Sequence, residues 1–202
     1  HTVLTTPGAG KWYKSGGRPS SQHLHFELAE NTCLEWLPQE NILFDGTEVA
    51  FTGEVHLQDN AVFAGWEIFC LGRQASGEQW QSGRLQQRLS IYRHHCLIWN
   101  ERASLTLQSR QLQSAAGLRG MRVSGTFVVV AANLPTNILD ACRAISIDGQ
   151  ALYGVTALPQ VFCARYLGQS SQEARRYFEA LWHLLRPWYA GRTAVKPRIW
   201  AT

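Results

Sequence analysis

A chain of 202 residues that is 45% hydrophobic and only 17% charged carries enough apolar surface to offset the entropy of ordering it. A disordered segment is excluded, and one globular domain over residues 1–202 is expected. Nineteen Lys and Arg against 15 Asp and Glu leave a formal charge of +4, scattered along the chain, so no nucleic-acid partner is expected. Only Lys11, Lys14 and Lys196 are lysines, and an arginine bias of this kind suits forked hydrogen bonding at protein surfaces that meet other proteins. No run approaches the ~18 to 20 apolar residues of a membrane span, and the opening His1-Thr2-Val3-Leu4 lacks the charged and apolar regions of a signal peptide. The five cysteines (Cys33, Cys70, Cys96, Cys142, Cys163) are an odd number, set apart and mostly inside apolar runs, and read as buried free thiols of a cytoplasmic protein. The chain has no initiator Met, and is expected to begin inside a longer protein.

In chain order, residues 1–133 read at period 2, the pattern of many short strands. His23 to Leu28 alternates cleanly, with Leu24, Phe26 and Leu28 on one face and His23, His25 and Glu27 on the other. Further strands are predicted over Glu48 to Leu57, Val62 to Leu71, Leu85 to Arg93, Cys96 to Leu107 and Gly125 to Ala132, with His94-His95 at a hairpin turn. The period then changes. Asn137 is placed to cap a helix over Ile138 to Ile145, Gln160 to Leu167 reads as a strand, and Ser170 or Ser171 is placed to cap a helix reaching Leu185. In that second helix Ala174, Tyr177, Phe178, Leu181, Trp182 and Leu185 form one apolar stripe, and Pro187 is expected to stop it. The prediction is a mainly β fold of stacked layers with two late helices packed on it.

Few local motifs carry chemistry. Pro7-Gly8-Ala9-Gly10-Lys11 lacks the Gly six residues before Lys and the Ser or Thr after it that a phosphate loop needs, and reads as a turn. No nucleophile elbow, His-Glu-x-x-His or Cys-x-x-Cys is present, so an enzyme is not supported. His23, His25 and Glu27 share one strand face about 7 Å apart, a spacing open to a borderline metal such as nickel, but with no fourth ligand visible in the sequence an exposed polar face is the preferred reading.

Two acids stand inside otherwise apolar strands. Glu67 shares its face with Phe63, Phe69 and Leu71, and Glu101 shares its face with Leu97 and Trp99. A buried carboxylate costs several kcal/mol unless it is paired, hydrated or bound to a cation. One reading makes each acid half of a structural pair with Arg73, Arg84, Arg88 or Arg102; the other makes them the lining of a water-filled internal passage.

The segment Leu34-Glu35-Trp36-Leu37-Pro38-Gln39-Glu40-Asn41-Ile42-Leu43-Phe44-Asp45-Gly46 resembles the signature of the UreD (UreH) urease accessory protein family. Thr6-Pro7-Gly8-Ala9-Gly10-Lys11-Trp12, Gly65-Trp66-Glu67 with Cys70-Leu71-Gly72-Arg73, and the end Pro197-Arg198-Ile199-Trp200 agree with it in order, so the resemblance covers the whole chain. The family's further N-terminal segment, with its Gly-Gly-Asp turn, is not present, and the chain looks truncated there. The resemblance implies strands wound in a right-handed, helix-like arrangement, no catalysis, and a scaffold that docks on apo-urease. It also implies recruitment of UreF and, through UreF, of the GTPase UreG. It further implies that no cofactor is held tightly and that nickel passes in transit through an internal channel toward the urease active site, with Glu67 and Glu101 lining that channel. A purely structural adaptor for urease is the alternative. A carbohydrate-binding module is set aside because Trp36, Trp66, Trp99 and Trp182 fall on faces that look buried.

Overall fold

The computed structural model describes residues 1–147 and 149–201, and it is mainly β, with 44% strand and 19% helix. The strands are β1 (Thr2–Leu4), β2 (Gly10–Trp12), β3 (Ser20–Leu28), β4 (Cys33–Trp36), β5 (Asn41–Leu43), β6 (Thr47–Leu57) and β7 (Val62–Leu71). They continue as β8 (Gly83–Arg93), β9 (Cys96–Thr106), β10 (Val123–Val130), β11 (Leu152–Leu158) and β12 (Val161–Gly168), with helices α1 (Thr136–Arg143) and α2 (Ser171–Ala190). An eight-stranded sheet runs β1-β4-β7-β10-β12-β11, with β5 and then β2 extending from β7, and a four-stranded sheet runs β3-β6-β8-β9. The chain passes back and forth between the two. Its successive visits pair in parallel, β3 with β6 and β6 with β8 in the small sheet, β4 and β5 with β7 in the large one. From β8 onward the pairings turn antiparallel.

Period 2 sorts the side chains of β7 between two environments, as a strand covered on both faces requires. Trp66, Ile68 and Cys70 pack with Phe127 of β10, Tyr166 of β12 and the α2 stripe of Tyr177, Phe178, Leu181 and Trp182. Phe63, Phe69 and Leu71 face the small sheet instead. Phe63 joins Val55, Leu57 and Ile91 in one apolar cluster, and Phe69 and Leu71 join Phe51, Leu85 and Leu105 in another. The space between the sheets is therefore closed by two separate apolar clusters, and Glu67 lies in sequence between them.

Three expectations are corrected. α1 begins at Thr136 behind Pro135 with no side-chain cap, so Asn137 lies inside it, where Pro135 supplies the preset φ of −60° instead. α2 starts on the Ser170 cap, whose hydroxyl accepts from the Glu173 amide, but it runs through Pro187 to Ala190 and ends at Gly191 with φ 63°. A proline near the end costs one backbone bond, and the buried Arg186 and Tyr189 hold the last turn down. The thiols are all free, yet Cys96 is exposed beside the hairpin at His94 and His95, whose φ values of 47° and 62° make the tight turn. Among the described residues no helix is long and apolar enough to cross a membrane.

Candidate functional site

The segment between β4 and β5 opens a gap in the large sheet. β4 stays beside β7 as far as the Trp36–Gly65 pair, and β5 joins it only from the Asn41–Phe69 pair. Between them Pro38, which has no amide hydrogen to give a ladder, bends the chain away, and its carbonyl accepts from Trp66 Nε1 at 2.8 Å. The two residues at the lips of the gap both turn to Glu67: Trp36 Nε1 donates to Oε1 at 2.8 Å and Asn41 Nδ2 to Oε2 at 2.9 Å. Asn41 Oδ1 in turn accepts from Trp12 Nε1 at 2.9 Å, which fixes the direction of its amide. No Lys or Arg pairs with Glu67 among the described residues. Burial pushes its carboxyl up to about 7, and the two hydrogen bonds only partly oppose that.

Glu101 approaches the same place from the small sheet. It accepts from Thr126 Oγ1 at 2.9 Å and from Arg165 Nη1 at 2.8 Å, and its Oε2 is buried without a hydrogen-bond partner. Thr126 is the cross-strand partner of both Glu67 and Arg165. Glu67, Thr126 and Arg165 thus form one transverse row on the large sheet, with Glu101 laid over it. The pairing with Arg73, Arg84, Arg88 or Arg102 is replaced by this one: Arg73 grips Glu78 and Arg88 donates to Ser90. Arg165 lies 64 residues from Glu101, beyond the reach of any local pattern.

Both acids border two adjoining spaces between the sheets, a cleft of about 790 Å³ and a void of about 40 Å³. Gln87, Phe69 and Thr126 border both as well. The void reaches under β3 to Gln22 and Leu24, while the cleft extends past Arg165 to Tyr153. Even the smaller space exceeds the roughly 10–15 Å³ that one water needs, and its walls offer carboxylate, amide and hydroxyl partners. Glu67 is half-buried and borders both cavities.

His23, His25 and Glu27 do share the exposed face of β3, but the structure does not gather all three. His25 instead meets Glu54 and His56 of β6, while Glu27 accepts from His25 Nε2 at 3.1 Å.

The remaining signature residues hold the frame. Glu35 is fully buried, and its Oε1 accepts from Tyr189 hydroxyl at 2.6 Å, Arg186 Nε at 3.0 Å and Trp182 Nε1 at 3.4 Å, which ties β4 to α2. Gln39 is pinned by its amide to Thr6 Oγ1. Asp45 Oδ1 accepts the amides of Gln81 and Ser82, and Gly46 turns at φ 78° where a Cβ would lie 2.8 Å from Lys14. Arg73 stacks 4.6 Å over Phe44. Pro197 accepts the Trp200 amide and Arg198 opens the short helical turn that carries Trp200, whose ring sits 5.9 Å from Trp66 while its Nε1 donates to Thr5. The importance of Glu35 as a junction escaped the sequence, since its three donors come from a helix about 150 residues later.

Comparison with known proteins agrees with this frame. Residues 1–201 match the family described as UreD urease accessory protein. The urease accessory protein UreD of Methylobacillus flagellatus is 56% identical over 99% of this chain and 70% of its own length. Those of Dechloromonas aromatica and Janthinobacterium sp. are 45% and 41% identical over the whole chain, covering 71% and 69% of theirs. With the signature segment built around Glu67 and relatives this close along its full length, the chain belongs to the UreD urease accessory protein family.

Proposed function

We propose that this chain is a non-catalytic cytoplasmic scaffold of urease maturation that docks on apo-urease, recruits UreF and through it UreG, and passes nickel between its two sheets toward the urease active site. The observation that carries the reading is the meeting of Glu67 and Glu101, from different sheets, on the walls of the same two cavities. Carboxylates and waters release a divalent ion readily, where a closed His and Cys site would retain it. Glu67 suits this role for a further reason. With its carboxyl pushed up to about 7, it exchanges a proton near neutral pH, so an arriving cation replaces a proton instead of adding to a fixed charge. Glu101 contributes its unpartnered Oε2.

A structural adaptor that conducts no metal is favoured by one observation, the Glu101–Arg165 ion pair, which accounts for Glu101 without any cation. The two readings separate in Glu67→Gln and Glu101→Gln, tested in the full-length protein co-expressed with urease and its other accessory proteins. On the conduction reading both variants assemble normally, and the urease recovered contains less nickel and is less active. Normal assembly with full nickel content and activity would refute conduction through that residue.

A further inference from the structure

The outer face of the small sheet, away from the cavities, carries a second set of metal-ligating groups. Parallel pairing of β3 with β6 sets His25 beside Glu54 and Glu27 beside His56. His25 Nδ1 lies 3.7 Å from Glu54 Oε2, His56 Nε2 lies 3.9 Å from the same oxygen, and one ligand atom from each of the three residues lies within 4.8 Å of the others. Ligands bound at about 2.1 Å around one ion stand about 3.0–3.4 Å apart, so closing on a metal asks about 1 Å of side chains that are partly exposed.

Two neighbours preset the imidazoles. The His25 Nε2 edge faces Glu27 Oε1 at 3.1 Å; a proton held there leaves Nδ1, on the Glu54 side, with a free lone pair. A carboxylate behind a histidine is the arrangement that fixes tautomer and ring direction in metal sites. The His56 ring stacks on Tyr92 of β8, with centroids 4.9 Å apart and planes inclined by 8°, which limits its rotation while Nε2 points to Glu54. All five positions lie on parallel strands in fixed register, so the spacing belongs to the backbone and not to a loop.

We propose that His25, Glu54 and His56 form a surface site for a borderline divalent ion, nickel or zinc, with Glu27 and Tyr92 as positioning residues. Three protein ligands on an open face leave the other positions to water. Such a site exchanges its ion quickly and does not bury it. It goes beyond the internal-passage reading and does not depend on it, because none of its residues borders the cavities at Glu67 and Glu101.

The test is a titration of the full-length protein with nickel chloride alone, read by calorimetry and by paramagnetic loss of the histidine ring signals. The expected result is early, selective loss of the His25 and His56 signals. His25→Ala and His56→Ala should each weaken binding at least tenfold, and Glu27→Gln should weaken it by a smaller factor. Equal loss of the His23, His94 and His95 signals, or binding that survives both His25→Ala and His56→Ala, would overturn the site. So would binding abolished only by the internal acid variants. The altered side chains face outward, and unchanged circular dichroism keeps a folding defect from imitating the expected result.

Discussion

Replacing Glu67 by Gln should remove a pH dependence of stability, so that the variant gains on wild type as the pH rises from 5 to 8. In the folded protein this carboxyl titrates at about 7, against 4.5 for the unperturbed group, because burial penalises its charged form more than Trp36 and Asn41 stabilise it. An acid whose pKa is raised on folding binds more protons in the native state than in the unfolded one. Its contribution is therefore intact below about pH 4.5 and is lost as the pH rises through 7. Between pH 5 and pH 8 that loss amounts to about 2–3 kcal/mol for the wild-type protein and to nothing for Gln, which does not titrate. At pH 5 Trp36 Nε1 and Asn41 Nδ2 still both donate, so the amide, with one accepting oxygen, loses one of the two bonds that the acid's oxygens accept, and the variant should be less stable than wild type by about 1–3 kcal/mol. Urea unfolding at pH 5, 6.5 and 8 measures the difference directly. A Glu67→Gln protein whose stability relative to wild type does not change between pH 5 and pH 8 would show that Glu67 is well solvated or paired, and the argument for a costly acid kept on the cavity wall would fail.

Leu181 is fully buried in the cluster that joins α2 to β7, so Leu181→Ala should cost about 2–5 kcal/mol in thermal or urea unfolding; unchanged stability would mean that the stripe is not core. Glu35→Gln should cost about 3 kcal/mol or more, because it leaves the buried Arg186 without its counter-charge, and a loss below 1 kcal/mol would show that the junction of β4 with α2 does not rest on that pair. Gly83 has φ 121° and a Cβ there would lie 2.2 Å from the Thr47 carbonyl oxygen, so Gly83→Ala should sharply reduce soluble yield, whereas alanine at Gly8, which meets nothing within 4 Å, should not.

Period 2 in residues 1–133, the apolar-on-both-sides run Val62–Leu71 and the helical stripe of α2 were legible in the sequence because burial imposes a local period on any element long enough to show it. β1, β2, β4 and β5 are three or four residues long and carry too little pattern to be read alone. They are strands because β7 and its neighbours offer them partners. Continuation of α2 past Pro187 was likewise decided by burial of Arg186 and Tyr189 against Glu35, which offsets a preference that local rules describe correctly for an unpacked helix. The site divides in the same way. An acid within an apolar strand is visible in the sequence as a conflict of polarity, and so Glu67 and Glu101 stood out. Which groups answer each conflict depends on register between strands distant in the chain. Only the tertiary structure could set Arg165 rather than a nearby arginine against Glu101, place Trp36 and Asn41 at the two lips of a gap over Glu67, and turn His25 toward Glu54 and His56.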